Sequence, residues 1–111
     1  MIWEALAQLQ QWQRENLPAA DSPVSAEIMV WLLKTRSAPR PLKDLYLSSQ
    51  ASEPTVRKIL RAFVDAGLIE LEIDEDDHRN RFPRLTPRFD SVVSDYQQAL
   101  ARLAALVRSE S

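Results

Sequence analysis

Residues 52–86 read SEPTVRKILRAFVDAGLIELEIDEDDHRNRFPRLT, and the changes of pattern inside that stretch decide the fold. Ser52 is placed to cap a helix, and Pro54 suits a first turn, where its missing N–H has no intrahelical partner. Val56, Ile59, Leu60, Phe63 and Val64 recur at helical spacing, while Arg57, Lys58, Arg61 and Asp65 take the opposite arc. One face is therefore core and the other cationic. Gly67, the single glycine of the chain, follows the last periodic residue, where a helix stop calls for positive φ. Beyond it the period falls from 3.6 to about 2: Ile69, Leu71 and Ile73 share one face of a strand and Glu70 and Glu72 the other. Residues 74–79 hold nothing to bury and form a turn, and residues 80–85 return as a second strand. Pro83 lacks a ladder donor, which places it where the missing N–H faces outward.

A helix, a glycine stop and a hairpin in this order are the core of a winged helix-turn-helix. The run from Gly67 to Thr86 resembles the wing signature of the MarR family of transcriptional regulators: Gly67, Leu68 and Ile69, a strand, Asp74, Asp77 and Arg79, a second strand, then Leu85 and Thr86. The resemblance covers residues 22–86 well and the flanks more weakly. It implies that Arg79 enters a DNA minor groove and that Asp77 pairs with it and orients it. It also implies a dimer built from the terminal helices, and a small aromatic or phenolic effector held between the dimerisation and DNA-binding parts. Trp3, Trp12, Trp31 and Tyr46 are the candidate lining of such a pocket. One departure is plain: family members often carry basic residues where this chain has Leu71, Glu72 and Ile73, so fewer phosphate contacts are expected from the base of the wing.

Composition bounds the rest. A chain of 111 residues, 45% apolar, is one domain with a single core. With no cysteine and one histidine there is no thiol nucleophile and little for metal or acid-base chemistry, and no phosphate loop or nucleophile elbow is present. No enzyme activity, cofactor or metal is expected. No segment approaches the roughly 18 apolar residues of a membrane span and no leader is evident, so a soluble, cytoplasmic protein is expected. The net charge of −2 does not suit a nucleic-acid binder, but the charges are segregated. Residues 34–61 hold seven basic side chains against two acidic, residues 65–77 seven acids and no base, and residues 78–88 four arginines and no acid. An acidic protein can thus present a basic face.

Within residues 1–20, Ile2 to about Asn16 reads as a helix whose apolar positions Ile2, Trp3, Ala5, Leu6, Leu9 and Trp12 spread over half its circumference, so it should touch two surfaces; Leu17 to Pro23 is a loop. Ser22 and Pro23 start a second helix with Val24, Ile28, Trp31, Leu32 and Thr35 inward; SAPRP at 37–41 breaks it. A short third helix to Ser48 turns Leu42, Leu45 and Tyr46 inward, and SSQAS leads into the recognition helix. From residue 87 to 111 a long helix carries Phe89, Val93, Tyr96, Leu100, Leu103 and Val107 at heptad spacing. A dimer through Ile2, Trp3, Leu6, Leu9 and these six positions is the expectation, although the family's second C-terminal helix has no counterpart here.

The expected architecture is mainly α (α+β): a dimerisation helix over 1–20, a winged helix-turn-helix over 22–86 with a two-stranded β-wing, and a dimerisation helix over 87–111. Its expected partner is double-stranded DNA, with Ser52, Thr55, Arg57, Lys58 and Arg61 reading a major groove and Asp77, Arg79 and Arg81 serving the wing. Two bland readings compete. The helix cations form only a solvated face, or Arg79 and Arg81 merely pair with residues 74–77. A different class of function, a winged-helix interaction module that holds a protein partner without reading DNA, is favoured by the acidic strand and loop.

Overall fold

The structure, a computed structural model, describes residues 1–110; residue 111, the end of the expected C-terminal helix, lies outside the described residues. Helices α1 (Ile2–Asn16), α2 (Pro23–Lys34), α3 (Leu42–Ser48) and α4 (Glu53–Asp65) precede an antiparallel hairpin of β1 (Ile69–Ile73) and β2 (Arg81–Leu85), and α5 (Pro87–Glu110) completes the order.

Hydroxyl caps followed by proline set three of the helix starts. Ser22 Oγ accepts the Val24 N–H at 3.2 Å, Ser52 Oγ accepts the Thr55 N–H at 3.4 Å, and Thr86 Oγ1 accepts the Phe89 N–H at 3.3 Å. At the other end of α4 the chain closes with paired reverse bonds: Leu68 N–H to Phe63 O at 3.1 Å and Gly67 N–H to Val64 O at 3.0 Å. That geometry needs φ +75° at Gly67, which is why a glycine stands there. The Thr86 hydroxyl donates to the Gly67 carbonyl at 2.6 Å, and its N–H bonds Leu68 O at 3.1 Å. One threonine thus ties the helix stop, the foot of the hairpin and the start of α5 together.

In the hairpin Ile69 faces Leu85, Leu71 faces Pro83 and Ile73 faces Arg81. Bonds from Thr86 N–H to Leu68 O and from Asp74 N–H to Asn80 O fix the even-numbered pairs as hydrogen-bonded ones. Pro83 therefore falls in a non-bonded pair with its missing N–H directed away from β1, as its chemistry demands. The second strand starts at Arg81, one residue later than expected. Alternation along β1 holds, but burial does not follow it: only Ile69 is buried, while Leu71 and Ile73 stay 37% and 52% exposed because the wing leaves the body of the protein.

Phe63, Phe89, Ile28, Met29, Leu32, Leu45 and Leu68 are fully buried and join α2, α3, α4, the foot of the wing and the start of α5. The buried Ser25 hydroxyl donates to Pro18 O at 2.6 Å and holds the α1–α2 loop to that core.

Three residues expected on the dimer seam are buried within the chain itself. Phe89 and Val93 are buried in the chain's own core, because the first turns of α5 continue from the hairpin and pack on Leu68 and Ile69 rather than standing clear. Leu9 is also buried, and Tyr96 is half-buried: its ring lies 5.2 Å from that of Trp12, and its hydroxyl accepts from Gln13 Nε2 at 3.1 Å. α1 lies along α5. Ile2, Leu6 and Leu103 are half-buried, whereas Trp3, Leu100 and Val107 remain 78%, 44% and 47% exposed. The unpartnered apolar face of the two terminal helices is therefore narrower than the heptad suggested, and it lies toward the distal half of α5.

Candidate nucleic-acid interface

The exposed arc of α4 follows from its strict segregation. With Val56, Ile59, Leu60 and Phe63 buried, Glu53, Thr55, Arg57, Lys58 and Arg61 all face solvent. The cations are set by neighbours one turn away. Arg57 Nη2 lies 3.2 Å from Glu53 Oε1, and its guanidinium carbon sits 4.7 Å above the Tyr46 ring. Arg61 Nε lies 3.2 Å from Asp65 Oδ1, and Lys58 has no charged partner among the described residues. Exposed pairs of this kind contribute little to stability, so phosphate oxygens can displace the carboxylates at small cost. Ser52 and Thr55 hydroxyls lie 2.9 Å apart at the start of the helix, where Ser52 already serves as cap.

At the wing the turn is held by its own aspartates. Asp74 Oδ1 accepts the Asp76 N–H at 3.0 Å, and Asp77 Oδ1 accepts the Arg79 N–H at 3.1 Å. Asp77 also holds the Arg79 side chain through Nε and Nη2 at 3.1 and 3.3 Å. Hydrogen bonding to Arg79, by side chain and then by backbone, keeps the Asp77 carboxyl below its ordinary pKa, and the same side-chain bond raises that of Arg79. The pairing expected for these two residues is present, and Arg79 projects with its side chain 90% exposed. On the neighbouring strand Arg84 is tied to Glu70 and, at 2.9 Å, to Glu72. One guanidinium thereby offsets part of the charge of two acids that would repel phosphate.

Helix and wing converge on α3. Leu42, Lys43, Tyr46, Glu53, Arg57, Arg79, Asn80 and Arg81 line one small cavity of about 130 Å³. Burial pushes the Tyr46 hydroxyl above its usual pKa, with Arg57 opposing that rise. The structure thus brings Arg57, Arg79 and Arg81 to one place, and sets Lys58 and Arg61 further along α4. Lys43 and Asn80 were not singled out from the sequence, and Tyr46 was assigned to an effector pocket. The i, i+3 spacing of Lys43 and Tyr46 on α3 was the only local signal, since their approach to residues 79–81 depends on tertiary packing.

The four aromatic residues expected to line an effector pocket stand apart. Trp3 is exposed on α1, Trp12 packs on Tyr96, Trp31 lies on α2 and Tyr46 lies under Arg57. Among the described residues, Trp31 and Tyr46 line different cavities.

No protein-family profile and no curated protein matches the sequence. Solved structures do. A mutant of S. aureus MepR is 17% identical, with a TM-score of 0.72 over 97% of this chain and 76% of that one. A probable transcriptional regulator from Pseudomonas aeruginosa is 18% identical, with a TM-score of 0.64 over 97% of this chain and 80% of that one. BpsR of Bordetella bronchiseptica, described by the regulation of its DNA binding by 6-hydroxynicotinic acid, is 20% identical, with a TM-score of 0.59 over 92% of this chain and 72% of that one. The chain shares the fold of these proteins, a winged helix, followed in this chain by one long helix.

Proposed function

We propose that this protein is a sequence-specific, double-stranded DNA-binding transcriptional regulator that acts as a homodimer. The observation that carries the reading is the convergence of Lys43, Arg57, Arg79 and Arg81 around one cavity at the junction of α3, α4 and the wing. A helix N-terminus with exposed cations suits a major groove, and a clamped arginine at a hairpin tip suits the adjacent minor groove. Ser52, Thr55, Arg57, Lys58 and Arg61 serve the major groove, and Arg79, oriented by Asp77, with Arg81, serves the minor groove. Trp3, Leu100, Leu103 and Val107, with Ile2 and Leu6, supply the apolar face through which two copies associate. The effector reading retains none of its four aromatic residues as a common site.

The rival, an interaction module that does not read DNA, is favoured by the acids at residues 74–77 beside the wing arginine. Selection of bound sequences from random duplexes separates the two. The regulator reading expects an enriched, two-fold symmetric site with half-sites about 10 base pairs apart. No enrichment over the starting pool would contradict it.

A further inference from the structure

A larger cleft lies away from the cationic cavity, between the end of α2, the loop that follows it and the wing. Its volume is about 570 Å³, within the roughly 300–1,000 Å³ range of small-molecule sites. Leu32, Ile73, Phe82, Pro83 and Leu85 give it apolar walls. The proposed DNA contacts use none of these side chains.

The charges around it are unequal in availability. Both of its arginines are engaged: Arg36 with Asp90 at 2.7 Å, and Arg84 with Glu70 and Glu72. Two acids on the wing side are not neutralised. Asp74 accepts only the backbone N–H of Asp76, and the Glu75 carboxylate has no partner among the described residues. An anion entering this cleft would have to displace a carboxylate from an arginine and approach two further carboxylates. A cation meets Asp74 and Glu75 with no ion pair to break among the described residues.

We infer that the cleft between α2 and the wing is a binding site for a small amphipathic cation, its apolar body against the apolar part of this lining and its ammonium group beside Asp74 and Glu75. The inference goes beyond the regulator reading and is tested without DNA, so the two fail separately.

The test is NMR of the full chain titrated separately with phenylbutylamine, phenylbutyrate and phenylbutanol, three probes that share a body and differ in charge. Saturable shifts at Thr35, Ile73, Phe82 and Leu85 are expected with the amine, about tenfold tighter than with the carboxylate. Glu75→Gln should weaken the amine by about threefold and leave the alcohol unchanged. Equal or tighter binding of the carboxylate would overturn the inference. So would amine-induced shifts that map to α1 and α5, or no saturation by about 10 mM amine.

Discussion

Asp77 holds Arg79 by both carboxylate oxygens, at 3.1 and 3.3 Å, and takes its backbone N–H as well. Three bonds from one side chain fix an arginine that is otherwise surrounded by solvent. An arginine restrained before it meets DNA loses less side-chain freedom on binding. Asp77→Ala should therefore weaken duplex binding by about tenfold while the thermal midpoint stays within a few degrees of the parent's. Unchanged affinity would contradict a positioning role for Asp77.

The same pair sets a pH dependence. Its folded-state carboxyl pKa is depressed, so the clasp is fully present above the unfolded aspartate value of about 3.9 and is lost as pH falls through the lower folded value. A carboxyl-detected NMR titration should place Asp77 below the ordinary aspartate value. Arg79→Ala should move it back up, and coincident titrations in parent and variant would contradict the clasp.

Gly67 was legible from sequence because its requirement is local: an L-residue at φ +75° is strained whatever surrounds it. A Cβ there would meet only Arg88 Cδ, at an ordinary 3.7 Å, so backbone strain alone decides the cost. Gly67→Ala should lose about 1 kcal/mol in urea unfolding. A midpoint equal to the parent's would contradict the helix stop.

Caps, the alternation along β1 and the place of Pro83 were readable for the same reason. Each depends on residues within a few positions of one another. What the sequence concealed was non-local. Phe89 and Val93 fit a heptad seam, and nothing in their spacing distinguishes the chain's own core from a partner's. Leu71 and Ile73 alternate like buried residues but stand on a wing that leaves the body. Tyr46 meets Arg57, and Lys43 meets the residues at 79–81, only because α3 packs beside β2.

That division separates two substitutions on α5. Phe89→Ala should cost about 3–5 kcal/mol, as expected for an aromatic removed from a packed core. Leu100→Asp should leave the unfolding midpoint of the single chain nearly unchanged and lower the sedimentation mass to that of a monomer. A mass equal to the parent's would contradict the dimer face, and a stable Phe89→Ala protein would contradict the core assignment.

Lys43 sits on α3 at the rim of the cationic cavity, with an exposed side chain. If it contacts a phosphate, Lys43→Ala should weaken all duplexes alike and reduce the slope of log affinity against log salt by about 1. An unaltered slope would remove Lys43 from the interface.

The central claim is that α4 and the wing present cations to one duplex, and fluorescence anisotropy of a labelled duplex across a salt series tests it most directly. The account predicts binding whose affinity falls steeply with salt, with a slope that flattens when Arg57 and Arg79 are both replaced by alanine. Binding that is absent at low salt, or equal in parent and double variant, would contradict it.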